Sequence, residues 1–210
     1  MSKLFTTKSG WYQLATAVFV ACLICANVIA VKLIPFGPFI LVGGMLVFPL
    51  SYIFGDILVE CFGLEKAHRV IWLGFSGNLL FVVFAYITGR MPHPAFWTLQ
   101  EAYDAILGFT PRLLIASFCG YMVGQFSNAQ IMHVMRKGKY LWMRTIGSTL
   151  VGEGLDSLVF VAVAFLGTMP NAAVVTAIWT GWLFKTVYEA AATPVTYLIV
   201  NHIKSLPEGD

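Results

Sequence analysis

Charged residues are scarce in this sequence. Asp, Glu, Lys and Arg make up only 11% of its 210 residues, against about 25% in an ordinary soluble domain. Hydrophobic residues make up 59%, and polar segments nowhere exceed about twenty residues, the length of one membrane span. This composition excludes an ordinary soluble domain and indicates a chain whose surface is covered mostly by lipid.

The sequence also lacks the motifs of most catalytic and cofactor sites. A nucleophile motif, a phosphate-binding glycine loop and a zinc pattern are all missing, and none of the four histidines forms a metal-binding pair with a carboxylate. Cys22 and Cys25 have the C-x-x-C spacing, but a second pair of metal ligands does not follow. We interpret them as small apolar residues on one helix face, and we expect no metal and no cofactor.

Six long apolar stretches fill most of the chain. Because backbone groups in lipid must bond within a helix or a closed barrel, and period-two alternation is absent, the sequence predicts an all-α integral membrane protein. It forms one domain over 1–210, with predicted spans at about 11–34, 39–62, 68–88, 112–135, 145–167 and 172–201. Gly43, Gly44 and Pro49 indicate that the second span is kinked or broken. The start of the chain has no cleavage-site pattern, so we expect the first span to be retained.

Basic residues are distributed unequally between the two sides of the membrane in this predicted topology. Arg90 and Arg112 lie on one side, and the other side holds Lys3, Lys8, Lys66, Arg69, Arg136, Lys137, Lys139, Arg144 and Lys204. Since cytoplasmic loops are enriched in Lys and Arg, both termini are predicted to be cytoplasmic. These residues form no continuous stripe, so binding to nucleic acid is not predicted.

The two halves of the chain share one pattern. In the second span Ser51 precedes Asp56 and Glu60, and in the fifth Ser148 precedes Glu153 and Asp156. Three spans plus three spans of opposite orientation would form an inverted repeat, as in many carriers. We treat a 3+3 inverted arrangement as a hypothesis, because little identity extends beyond this pattern.

Four ionisable residues lie near the middle of the last two spans: Glu153, Asp156, Lys185 and Glu189. Each charge at the bilayer centre costs roughly 2.5–3.5 kcal/mol on insertion scales. Such groups are retained when they pair, face a cavity or handle a polar solute, so a membrane transporter is the first hypothesis. Inert pairing of Glu153 with Lys185, or a Lys185–Glu189 bridge within one helix, is the structural alternative.

Further polar and aromatic residues lie on the same predicted spans. Their amides and hydroxyls suit either a ligand or ordinary links between helices. The candidates are Asn27, Asp56, Ser117, Tyr121, Gln125, Thr149 and Trp182. Glu60 is interpreted instead as part of a surface ion-pair cluster with Lys66, His68 and Arg69.

Acids beside amides and aromatic rings suit a flat heterocycle with several N–H donors. A carboxylate can accept two parallel hydrogen bonds from a guanine-like edge, and an aromatic face can stack on the ring. The same acids are also able to carry protons, so proton coupling is left open.

Four segments resemble the VUT (vitamin uptake) family, whose YhhQ-type members are queuosine precursor transporters. They are FPLSYIFGDILVECFGLEKAHR, ASFCGYMVGQFSNAQIMHVMRK, RTIGSTLVGEGLDSLVF and FKTVYEAAATPVTYLIV. The resemblance implies a six-helix importer of 7-cyano-7-deazaguanine and its aminomethyl relative in the bacterial inner membrane. It implies functional roles for Asp56, Ser117, Gln125, Ser148, Thr149, Asp156, Lys185 and Pro194. Relatives often carry an amide at position 153, so Glu153 leaves open a cationic substrate or an extra proton site.

The sequence therefore predicts a multi-pass transporter of a queuosine precursor, and not an enzyme. Glu153 and Asp156 would accept donors of the base, Lys185 would hold their geometry, and Tyr121 or Trp182 would stack. The alternative is the six-helix substrate-binding subunit of a vitamin importer energised by separate ATPases. The preferred deazaguanine, the energy coupling and the formation of a homodimer are left open.

Overall fold

The computed structural model describes residues 5–29, 32–36, 39–108, 111–138, 140–167 and 170–208. Within these ranges the chain forms seven α-helices and one short hairpin. They are α1 (Lys8–Ile29), β1 (Leu33–Phe36), β2 (Phe39–Val42), α2 (Phe48–Phe62), α3 (Leu64–Arg90), α4 (Gln100–Leu107), α5 (Pro111–Val134), α6 (Leu141–Phe165) and α7 (Asn171–Ser205). Two 3-10 turns, Gly43–Leu46 and Met135–Lys137, precede α2 and follow α5.

Several of these helices are suited to a bilayer. Over the part of the chain that the structure describes, four segments are long and apolar enough to cross a membrane: Lys8–Ile29, Gly43–Phe62, Leu64–Arg90 and Leu141–Phe165. Helices α5 and α7 have 24 and 35 residues, which also exceeds the roughly 20 that a span requires.

The molecule has its apolar side chains outside and many polar ones inside. Leu80, Phe84, Leu183 and Leu198 are each at least 60% exposed, whereas Asp56, Thr149 and Glu153 have no exposed surface. In water this arrangement would be unstable, because exposed apolar area is unfavourable. In lipid it is the expected one, since ionisable residues in membrane helices turn toward the bundle interior.

The hairpin departs from the sequence prediction. The first span was predicted to reach position 34 and the second to begin at 39, but α1 ends at Ile29 and residues 33–36 and 39–42 pair as antiparallel strands. Pro35 has no N–H to donate, which disfavours a helix through this segment. Gly43 then permits close approach to α1: its N–H donates to Lys32 O at 2.7 Å, and an added Cβ would lie 2.5 Å from Ile29 O.

The remaining predicted spans each coincide with one helix whose ends differ by a few residues. Pro49 lies in the first turn of α2, where its missing N–H is tolerated. Helix α2 is central, because it contacts α1, α3, α5, α6 and α7. Its buried side chains include Tyr52, Ile57 and Val59, so α2 carries Asp56 into the middle of the bundle.

Both ends of the described chain meet at one end of the bundle. The Lys8 N–H donates to Pro207 O at 2.9 Å, and Lys8 Nζ lies 2.6 Å from Glu208 Oε1. The hydrogen bond and charge of Lys8 lower the pKa of the Glu208 carboxyl. An even number of membrane crossings would produce this juxtaposition.

Glu60 forms buried ion pairs with Arg144 and Lys204 at this same end. It is not part of the surface cluster that the sequence suggested. Its side chain is 3% exposed, and its carboxylate lies 2.6 Å from Arg144 Nη1 and contacts Lys204 Nζ. Arg69 pairs instead with Glu65. The sequence interpretation of Glu60 was wrong, because residues distant in sequence supply its partners.

Candidate functional site

A buried ion cluster joins α6 to α7. Lys185 Nζ lies 2.5 Å from Asp156 Oδ2 and 2.8 Å from Glu153 Oε2. Glu153 and Asp156 are three residues apart, so they share one face of α6, and all three side chains are at most 9% exposed. The same ammonium lies 4.8 Å from the ring centroid of Phe48, a distance that suits a cation–π contact.

A second pair of acids lies beside this cluster. Asp56 on α2 and Glu189 on α7 are 0% and 1% exposed; α2 packs against α7, and Glu189 lies one helical turn after Lys185. Asp56 Oδ1 accepts hydrogen bonds from Asn128 Nδ2 at 2.7 Å and Ser148 Oγ at 3.5 Å. Glu189 forms no ion pair with a described residue, so the Lys185–Glu189 bridge within α7 is not formed.

The interior contains many buried polar atoms that the described residues leave without a hydrogen-bond partner. They include Tyr52 Oη, Asp56 Oδ2, Asn128 Oδ1, Thr149 Oγ1, Glu153 Oε1, Ser157 Oγ and both carboxylate oxygens of Glu189, and also His68 Nε2, Arg144 Nε and Thr186 Oγ1. A buried polar group without a partner costs free energy, so native structures contain only a few. The oxygens on Asp56, Glu153 and Glu189 are chemically able to accept hydrogen bonds from a solute that carries N–H donors.

Close packing of α5 on α6 fixes the position of Asp156. An added Cβ at Gly124 would lie 2.7 Å from Asp156 Cβ and would also meet the Tyr52 hydroxyl. An added Cβ at Gly152 would lie 2.7 Å from Asn128 Cβ. Glycine therefore lets the two backbones approach, as small residues do between membrane helices. Asn128 thus packs against Gly152 of α6, and Asp156 packs against Gly124 of α5.

Gln125 and Thr149 also lie in this interior. Gln125 is 1% exposed, and its Nε2 donates to Ser51 Oγ at 3.2 Å. An added Cβ at Gly55 would lie 3.3 Å from Gln125 Oε1, so the amide rests against the α2 backbone one residue from Asp56. Thr149 is fully buried one turn before Glu153.

Asn27 and Ser117 hydrogen-bond to each other in another polar cluster. Asn27 Nδ2 donates to Asn78 Oδ1 at 2.7 Å, and Ser117 Oγ donates to Asn27 Oδ1 at 3.3 Å. These bonds join α1, α3 and α5, which is a common use of polar side chains in membrane bundles.

Tyr121 and Trp182, the predicted stacking residues, use their polar atoms elsewhere. The Tyr121 hydroxyl donates to Ile71 O at 3.0 Å, which ties α5 to α3. Trp182 Nε1 donates to Leu150 O at 2.8 Å, and its indole lies beside Gly154. Phe48 and Tyr52 are the aromatic residues next to the ion cluster, with ring centroids 5.9 Å apart.

Sequence reasoning left Phe48 and Tyr52 out of the binding candidates, and it named Ser148 only through the family resemblance. A usable signal existed for the two aromatic residues: Phe48 and Tyr52 lie eight and four residues before Asp56, on the same face of α2. Asn128 and Ser148 are close to Asp56 only because α5 and α6 fold against α2.

The structure also places open grooves outside the ion cluster. One is lined by His68, Phe126, Ser127, Gln130, Ile131 and Val151, and another by Val134, Met135, Gly138, Tyr140, Met143 and Arg144. Within the described ranges, no three His, Cys, Asp or Glu residues are grouped so that they could hold a metal ion.

An apolar exterior around a buried ionic interior is typical of a multi-pass helical membrane protein. A family model described as "Putative vitamin uptake transporter" matches residues 42–199. The chain belongs to this family, VUT, as its sequence motifs predicted, and the family is one of transporters and not of enzymes.

Three relatives from bacteria have more specific names. The chain is 31% identical over 152 residues to a "Probable queuosine precursor transporter" of Bacillus subtilis, 27% identical over 122 residues to a "Queuosine precursor transporter" of Escherichia coli, and 29% identical over 123 residues to a "Probable queuosine precursor transporter" of Haemophilus influenzae. The matches cover 70%, 58% and 58% of this chain and 66%, 54% and 51% of the relatives. The chain therefore spans between about half and two thirds of their length. Solved structures give no significant match.

Proposed function

We propose that this chain imports a queuosine precursor, 7-cyano-7-deazaguanine or 7-aminomethyl-7-deazaguanine, across the bacterial inner membrane. The names of its relatives support the substrate class. The observation that carries the proposal is the buried set of one cation and four acids, with many polar atoms that lack partners among the described residues.

The proposed topology has six spans with both termini in the cytoplasm. The spans are the four apolar segments together with α5 and α7. The meeting of Lys8 with Pro207 and Glu208 supports an even number of crossings, and Arg144 and Lys204 at the same end support its cytoplasmic side. An acid five residues after a serine on each of two helices, Asp56 after Ser51 on α2 and Glu153 after Ser148 on α6, supports a 3+3 inverted arrangement.

In the proposed complex, the guanine-like edge of the base forms hydrogen bonds with the residues of the ion cluster and replaces part of their pairing with each other. Its ring N–H and exocyclic amine would donate to Glu153 and Asp156, while Lys185 would donate to the carbonyl oxygen. Charge-assisted hydrogen bonds of this kind are short and strong. Phe48, beside the Lys185 ammonium, is better placed than Tyr121 or Trp182 to contact the ring.

Lys185 gives this site a closed state between transport events. When the base is absent the ammonium compensates both acids, and when it is bound the donors of the base share that role. Exchange of partners would let α7 move relative to α6. Pro194, inside α7, removes one backbone hydrogen bond of that helix and provides a point where α7 can bend.

The test is uptake of labelled 7-cyano-7-deazaguanine and 7-aminomethyl-7-deazaguanine by cells unable to synthesise them. The unaltered chain should restore uptake, and Asp156→Ala and Lys185→Ala should abolish it at equal amounts of membrane-inserted protein. Glu101→Gln, on the exposed face of α4, is the control and should behave like the parent. Normal uptake by both site variants would refute this site.

Reconstitution separates this proposal from that of an ATPase-energised importer. The purified chain in liposomes should admit the base without other proteins, whereas a substrate-binding subunit would need its ATPases. Repeating the assay with and without an imposed proton gradient determines the energy coupling. Accumulation against the base gradient only when protons flow inward would establish proton coupling.

A further inference from the structure

We propose that Glu189 and Asp56 form a cation subsite that makes this transporter select a base carrying a protonated primary amine over one carrying a neutral nitrile. The inference rests on the proposed function and deepens it, because it names which chemical class of 7-deazaguanine the site prefers. It is carried by two buried acids that have no counterion among the described residues.

Lys185 cannot compensate all of the buried acids. Lys185 is engaged by Glu153 and Asp156. Asp56 and Glu189 add two more carboxylates to the same interior, and neither is paired with a cation of the described chain. Four carboxylates and one ammonium leave three negative charges uncompensated when all are ionised, and a buried charge without a counterion is costly. A cationic ligand reduces that cost, whereas a neutral one does not.

The unused hydrogen-bond acceptors of these two acids match a cationic donor. Asn128 and Ser148 donate to one oxygen of Asp56, which holds the carboxylate in place. Its other oxygen and both oxygens of Glu189 accept from no described residue, and all are buried. An ammonium carries three donors and no acceptor, so it matches these three oxygens. A nitrile nitrogen is only an acceptor and would leave them unpaired.

Glu189 and Asp56 lie close to the position of Lys185. Glu189 lies four residues after Lys185, about 6 Å farther along α7, and Asp56 accepts a hydrogen bond from Ser148, five residues before Glu153 on α6. In a 7-deazaguanine the substituent on the five-membered ring lies next to the carbonyl oxygen. A base whose carbonyl oxygen contacts Lys185 therefore presents that substituent beside Lys185, where the next turn of α7 carries Glu189. Glu189 and Asp56, on helices α7 and α2, are placed to receive it.

The experiment measures competition between the two bases for the parent chain and for Glu189→Gln. The substitution retains size and removes one negative charge. The parent should prefer the aminomethyl base, and Glu189→Gln should weaken its binding by about tenfold or more, the effect of losing one charge-assisted hydrogen bond. Binding of the cyano base should stay unchanged or improve. Asp56→Asn should act in the same direction, and Glu101→Gln should leave the preference of the parent intact.

Each result supports or overturns the subsite. Selective loss of the aminomethyl base supports it. Equal loss of both bases overturns it and assigns Glu189 to coupling or to folding, and unchanged selectivity also overturns it. Where neither acid variant accumulates, competition on the parent decides, since a parent that binds the cyano base as tightly as the aminomethyl base contradicts the proposal. Failure of the parent to import either base would overturn the proposed function as well.

Discussion

Lys185 on α7 lies 2.5 Å from Asp156 on α6, with both side chains less than a tenth exposed. The same ammonium is 2.8 Å from Glu153, so one cation links two helices through two acids. Groups of this kind are expensive in a membrane interior unless they are paired. The link therefore stabilises the bundle, and in the proposed function a polar solute exchanges with its partners.

Removal of this cation should destabilise the protein and abolish uptake. Lys185→Ala leaves Glu153 and Asp156 buried without a counterion, at a cost of about 3–5 kcal/mol, which thermal unfolding in detergent would measure. The triple variant Lys185→Met, Glu153→Gln, Asp156→Asn should regain much of the stability, because it removes all three charges, yet it should not import the base. Normal uptake by the triple variant would show that the cluster is only structural.

The Glu60 carboxylate should be important for stability at the end of the bundle where the termini meet. Glu60→Gln removes the counterion of Arg144, whose side chain is 9% exposed, so we expect a loss of roughly 3 kcal/mol or more. Lys204→Gln is the matched comparison, since its side chain is 48% exposed and exposed partners contribute at most about 1 kcal/mol. Unfolding in detergent should rank the two variants in that order, and equal losses would contradict the assignment of Arg144 as the main partner.

The contact between α5 and α6 should not tolerate a methyl group. In Gly152→Ala the new Cβ would meet Asn128 Cβ at 2.7 Å and Gly124 O at 2.9 Å. Overpacking of this kind costs typically about 1–3 kcal/mol, and it would displace Asn128 from Asp56. Gly147→Ala is the control on the same helix, since its Cβ would meet only the flexible side chain of Met135 at 3.2 Å. Melting temperature and uptake should both fall in the first variant and change little in the second.

The cluster of Asn27, Asn78 and Ser117 should contribute to packing more than to selectivity. Asn78→Ala removes the acceptor of Asn27 and should cost about 0.6 kcal/mol, the average for such bonds in membrane bundles. The ratio of uptake of the two deazaguanines should stay that of the parent. A large change in that ratio would instead support the sequence prediction that Asn27 contacts substrate.

The sequence was sufficient to predict a lipid-covered helical protein and its family. The signals were local features of the sequence: long apolar stretches, few charges and four ordered motifs. Because backbone groups in lipid must bond within a helix or a barrel, apolar stretches of this length predict membrane helices directly. The hairpin was not predictable in the same way. A stretch of four to eight apolar residues fits a strand or a buried helix, and pairing of residues 33–36 with 39–42 is a contact between segments.

Partners of buried polar groups were the part that sequence spacing could not assign. Spacing correctly placed Glu153 and Asp156 on one face of α6, but it left Lys185 free to pair with Glu189 on its own helix or with α6. It also assigned Glu60 to nearby surface cations, whereas the fold brings Arg144 and Lys204 to it. Each of these choices depends on which helix faces which.

By itself the amino-acid sequence determined the membrane class, the family and the presence of too many acids for the cations in the interior. Those properties follow from composition and from periodicity along one helix, which need no knowledge of neighbours. Tertiary structure alone decided that Lys185 compensates Glu153 and Asp156 while Asp56 and Glu189 share no counterion from the described chain. The physical reason is that electrostatic interactions fall off with distance in space, and only the packing of α2, α6 and α7 sets that distance.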